Sequence, residues 1–96
     1  MYAQLVMFNM GPGKRSTAEQ IADQFVPVLR TLKGFKSITF LGDYNVGEYA
    51  SLSLWESKED AEAAGAASGP RLEEALSGIV KGPPTRRLFE VYEPKA

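Results

Sequence analysis

The side chains of this chain that can do chemistry are few and of a restricted kind. There is no His and no Cys among its 96 residues. Imidazole-ligated haem, zinc–thiolate sites, cysteine nucleophiles and Ser–His–Asp triads are therefore closed to it. Amides, phenols, guanidiniums and one indole are left. Asn9 ends the first apolar run, where its amide can hydrogen-bond a substrate oxygen or a dioxygen species, or cap the chain before Gly11-Pro12-Gly13. Tyr44, Tyr49 and Tyr92 can donate from a phenol or relay a proton, and tyrosine also favours subunit interfaces. Asn9 and Tyr92 are the candidate catalytic residues. Trp55 can stack on an aromatic ligand, or hold a strand end with its indole N–H bonded to backbone. Arg71, Arg86 and Arg87 can each hold an anion or a phenolate, or simply stand solvated. Trp55, Phe40 and Arg71 are the candidate substrate contacts, although Phe25 and Phe40 also suit core filling.

The acidic residues point elsewhere. Glu59, Asp60 and Glu62, and then Glu73 and Glu74, fall in helical stretches. Metal ligands of this type must converge from separate elements, whereas acids in a first turn complement the helix dipole. Gly11-Pro12-Gly13-Lys14-Arg15-Ser16 lacks the glycine–lysine spacing of a phosphate loop. No metal and no cofactor is expected.

The elements that must position these residues follow from periodicity. Residues 2–9 alternate Tyr2, Val6 and Phe8 on one side with Ala3, Leu5 and Met7 on the other, a strand apolar on both faces. Gly11-Pro12-Gly13 stops it. Ser16 and Glu19 have the spacing of a capping box, and Ile21, Phe25, Val28, Leu29 and Leu32 form an amphipathic helical stripe. Pro27 should kink that helix, and Lys33-Gly34 should end it. Residues 35–43 and 47–55 predict two strands joined by a short turn, an antiparallel hairpin. Ser57 and Asp60 form a second capping box. Ser68-Gly69-Pro70 predicts a break, giving two helical pieces over 58–67 and 70–80. Residues 85–93 predict the last strand, with Tyr92 on one of its faces.

The order β-α-β-β-α-β is the split βαβ arrangement. The expected fold is therefore α+β and ferredoxin-like, a four-stranded antiparallel sheet in a single domain over 1–96 with its helices on one face. The uncovered face would be apolar and too large for a monomer. Two sheets packed face to face remove that exposure, so a two-fold homodimer is expected. Net charge is −1, from 11 basic and 12 acidic residues. No basic stripe for nucleic acid is evident, and no apolar stretch approaches the length of a bilayer span. The N-terminus lacks the basic start of a signal peptide. A soluble, cytoplasmic protein is expected.

Three stretches carry a family resemblance. Thr31-Leu32-Lys33-Gly34-Phe35 resembles a leucine–x–glycine–phenylalanine lead into strand two. Leu52-Ser53-Leu54-Trp55-Glu56-Ser57 is similar to an apolar–x–apolar–Trp run feeding a Ser-capped helix. Phe89 and Tyr92 lie on a terminal strand with alternating aromatics. Together they resemble the antibiotic biosynthesis monooxygenase-like domain of the dimeric α/β-barrel superfamily. The resemblance implies a pocket between the sheet and its helices. Some members oxygenate polycyclic phenols with O₂ and no cofactor, and others bind and degrade haem. The haem branch uses a helical histidine and a helical tryptophan. This chain has Ala63 and Ala64 where that tryptophan would stand, so haem degradation is disfavoured. The function expected is cofactor-independent oxygenation of a small aromatic molecule. The alternative is a non-catalytic ligand-binding or stress-associated dimer on the same scaffold.

Overall fold

A computed structural model describes residues 1–94. Its elements run β1 (Tyr2–Asn9), α1 (Arg15–Arg30), β2 (Phe35–Asp43), β3 (Glu48–Trp55), α2 (Lys58–Leu76) and β4 (Thr85–Glu90). The strands form one antiparallel sheet in the order β2-β3-β1-β4. This is the ferredoxin-like α+β arrangement that the element order predicts.

The strand register settles which face the helices cover. Tyr2, Gln4, Val6 and Phe8 stand opposite Trp55, Ser53, Ser51 and Tyr49. These alternate residues pack under α1 and α2, where Tyr49 and Trp55 are buried. Their odd-numbered neighbours on β1, with Leu52 on β3 and Phe89 on β4, form the open face. Leu41, Leu52 and Phe89 remain exposed there.

Helix α1 buries Ile21 and Leu29 against the sheet, as its stripe requires. The Ser16–Glu19 capping box does not form. Gly13 adopts φ +82°, and the helix starts one residue before Ser16, with Lys14 as its cap. Glu19 instead accepts from Arg15 Nε at 3.1 Å, one turn back. Pro27 lies within α1 without ending it. Thr31 closes the helix, its hydroxyl donating to the Val28 carbonyl at 2.7 Å.

Helix α2 differs from expectation. Its Ser57 cap is present, with Ser57 Oγ accepting from Asp60 N at 3.1 Å. But α2 runs unbroken through Pro70 for 19 residues. Proline removes the hydrogen bond that its own N–H would make to the Ala66 carbonyl, and its ring crowds that carbonyl. Ala66 is exposed, so water can satisfy its carbonyl. The helix ends at Leu76 instead of Val80, because Ser77 is extended (ψ 128°) and Gly78 has φ +78°. The last strand is also shorter than 85–93. One further bond, from Val91 N to the Met1 carbonyl at 2.9 Å, extends its pairing, and Tyr92 lies beyond it. No described helix is long and apolar enough to cross a membrane.

Candidate active site

The helix–sheet interface has two buried clusters. Trp55, Leu29, Ala61 and Ala64 centre one, and Met10, Ile21, Tyr49 and Leu76 centre the other. Phe25 of α1 packs against both. Beside it the layers do not close, and a cavity of about 120 Å³ remains. Its walls are mostly apolar: Val6 and Phe8 on β1, Ile21, Phe25 and Leu29 on α1, and Leu72 on α2.

Two buried polar atoms in those walls have no hydrogen-bond partner, Tyr49 Oη and Gln4 Oε1. Both residues are 5% exposed. An unpartnered buried hydroxyl or amide is disfavoured by about 1–3 kcal/mol, so each marks a position where a bound molecule would improve the site. Tyr49 stacks on Phe8 with ring centroids 6.0 Å apart and meets Tyr44 at 5.9 Å. Tyr44 is half-open to solvent, and the Arg15 guanidinium lies 4.2 Å above its ring. The Glu19 hydrogen bond, followed by the charges of Tyr44 and Glu19, raises the pKa of Arg15 above its ordinary value. Arg15, a cation at any working pH, lies over Tyr44, which itself lines the cavity.

At the other end stand Gln4, Ser53, Ser68 and Arg86. The two serines are already engaged. Ser53 Oγ accepts from Trp55 Nε1 at 2.8 Å, and Ser68 Oγ donates to the Ala64 carbonyl at 2.7 Å. Arg86 also lines a second, outer groove of about 410 Å³ between α2 and the chain before β4, with Gly65, Gly69, Pro70, Glu73 and Pro83.

Of the five residues singled out from sequence, Phe40 lines the cavity, from edge strand β2. The other four lie elsewhere. Asn9 Oδ1 accepts from Gly11 N at 2.8 Å and its carbonyl accepts from Lys81 N at 2.7 Å, which ties the amide into the turn. Trp55 is fully buried and meets Phe35 edge-to-face at 5.5 Å. Its indole donates to a serine hydroxyl and not to backbone. Arg71 is exposed on α2 and lines neither hollow, and Tyr92 is 80% exposed. Tyr44, Tyr49, Arg86 and Phe25, each considered from sequence, do line the cavity.

Gln4 escaped the sequence reading. Its signal was present, since it is the one polar residue on the Tyr2–Val6–Phe8 side of β1. No group of three or more His, Cys, Asp or Glu residues that could hold a metal ion occurs among the described residues.

Comparison with known proteins places this architecture. Residues 1–68 match the family profile described as antibiotic biosynthesis monooxygenase. The chain superposes on a monooxygenase from the ActVA-Orf6 gene of Streptomyces coelicolor, solved with the ligand nanaomycin D. The TM-score is 0.79 at 22% identity, covering 99% of this chain and 90% of that one. SnoaB, a cofactor-independent oxygenase from Streptomyces nogalater, gives a TM-score of 0.73 at 16% identity, covering 97% and 93%. Rv0793 from Mycobacterium tuberculosis gives 0.72 at 14% identity, covering 99% and 98%. Identities this low speak to the fold. No curated protein matches the chain.

Proposed function

The chain belongs to the antibiotic biosynthesis monooxygenase family, and from that premise we propose that it oxygenates a small phenolic molecule with O₂ and without a cofactor. The observation that carries this reading is the pair of unpartnered polar atoms, Tyr49 Oη and Gln4 Oε1, in one apolar helix–sheet cavity. SnoaB, which shares the fold, is itself a cofactor-independent oxygenase.

The chemistry asks little of the protein and much of the substrate. A phenolate gives one electron to O₂, and the two radicals join at a ring carbon bearing hydrogen. The resulting hydroperoxide loses that ring proton as its O–O bond breaks. One oxygen stays as a carbonyl and the other leaves as water, so phenol plus O₂ becomes quinone plus water. The ring supplies every electron. The protein must keep the ring dry, favour its ionised form and stabilise charge developing on oxygen. The Tyr49 phenol is placed to donate to the developing peroxide. The ring packs against Phe25 and Phe40.

We place a second copy of the chain on the open sheet face. Leu41, Leu52 and Phe89 are exposed there, beside the half-buried Leu5, Met7 and Leu54. Contiguous exposed apolar residues of this kind mark an interaction surface. Light scattering at micromolar concentration should give twice the 10.5 kDa chain mass; a clean monomer would refute the pairing. The reaction itself is tested by oxygen uptake with a panel of monocyclic and polycyclic phenols and quinols. Uptake with a one-to-one yield of quinone is expected. Tight ligand binding with no uptake by any ring would make this a binding protein instead.

A further inference from the structure

The Gln4 end of the cavity is built for more than a ring edge. Arg86 sits on β4 opposite Val6, and its guanidinium reaches across onto α2. A Cβ added at Gly65 would lie 2.9 Å from Arg86 Nη1, and one added at Gly69 would lie 3.2 Å from Nη2. Two glycines one turn apart thus leave room for the planar group, at a position where glycine weakens a helix. The same Gly65 Cβ would lie 3.0 Å from Gln4 Oε1. A buried acceptor without a donor and a guanidinium therefore border one small space. Arg86 forms no ion pair among the described residues. Glu73 lines only the outer groove. The neighbouring Arg87 is turned to the open face, 4.7 Å over Phe89, so Arg86 alone of the two serves the cavity.

We propose that this corner reads two adjacent oxygens on the substrate, one anionic and held by Arg86, the other a hydroxyl donating to Gln4 Oε1. The substrate class is a single aromatic ring carrying an oxyanion or carboxylate next to a hydroxyl, as in catechols and ortho-hydroxybenzoates. Size sets an upper limit of one ring, since about 150 Å³ encloses a benzene and this partly open cavity is about 120 Å³, which leaves the polar substituents to reach its open edge. The charge agrees as well. The chain has no histidine to act as base, and a guanidinium beside one oxygen favours its ionised form. This inference rests on the oxygenase reading for its chemistry, but the binding it predicts is independent of turnover.

Calorimetric titration with salicylate, catechol, benzoate and phenol tests it. The wild-type chain should bind salicylate and catechol about tenfold more tightly than benzoate or phenol, the size expected of one charge-assisted hydrogen bond at a partly wet rim. Arg86→Gln should abolish the preference over phenol, and Gln4→Leu the preference over benzoate. Gly65→Ala keeps the charge but displaces the guanidinium, and should lose affinity as Arg86→Gln does while melting no lower than wild type. Salicylate binding without catechol binding would assign the anion to a carboxylate, and the reverse to a phenolate. Equal affinity for all four rings, or preferences that survive both Arg86→Gln and Gln4→Leu, would overturn the proposal. If binding follows the prediction but no ring consumes oxygen, the oxygenase reading fails and this one stands. If phenols are oxygenated with KM unchanged in Arg86→Gln, the reverse holds.

Discussion

Trp55 and Tyr49 lie on the same face of the same strand, six residues apart, and both are buried under the helices. They end in opposite conditions. The Trp55 indole has its acceptor two residues away in Ser53, and Leu29, Ala61 and Ala64 close around it. Tyr49 is nearly as deeply placed, yet its hydroxyl meets no partner and the residue borders a cavity. The first end is packed for stability. The second leaves an uncompensated polar atom, which stability alone would not retain. Burial alone therefore does not distinguish the two aromatics; the state of the single polar atom each carries does.

That contrast can be broken most directly at Trp55. Trp55→Ala should cost about 3–5 kcal/mol of stability, measured by chemical denaturation, and leave a marginal domain or none. A loss below about 1 kcal/mol would mean that the Trp55 end is not the tighter one.

Tyr49→Phe sharpens the contrast from the other side. It removes a hydroxyl with no partner, so stability should hold or rise by about 1 kcal/mol. Oxygen uptake should fall about a hundredfold, the usual effect of deleting one donor to a developing oxyanion. A destabilised variant with unchanged turnover would make Tyr49 a second Trp55.

The smallest effect lies on the Trp55 end's outer edge, where Lys36 Nζ meets Glu56 at 2.7 Å on the surface. The Lys36 hydrogen bond lowers the Glu56 pKa below its ordinary 4.5, and the Glu56 hydrogen bond raises that of Lys36 above 10.5. The carboxylate's contribution is present above its ordinary value and fades as pH falls through the folded one. The lysine's is present below its ordinary value and fades as pH rises through the folded one. Lys36→Ala should therefore flatten the stability profile below pH 4.5 and above 10.5, with a change between them at the edge of detection.

The four strands, the order of elements along the chain and the placement of both helices on one face were legible because apolar residues recur with periods of two and 3.6. The uninterrupted α2 was not legible. Pro70 normally argues for a break, yet the helix continues through it, with Ala66 one turn earlier exposed to solvent. The site was half legible for a similar reason. Residue type identified Tyr49, Arg86 and Phe40 as capable. It could not tell that Asn9 would spend its side chain on Gly11, or that Gln4 would come level with Ser53, 49 positions away. Whether a polar atom finds a partner is decided across strands, and local spacing carries no record of it.

Strand β1 has no idle position. Gln4, Val6 and Phe8 serve the cavity, while Ala3, Leu5 and Met7 serve the opposite surface, and both neighbours of the strand are other strands. Such a segment should tolerate the least sequence drift in the molecule. In a library randomising every residue in turn, its survivors should be the most restricted. Positions 2–9 would then predict kinship among relatives better than the helices that cover them.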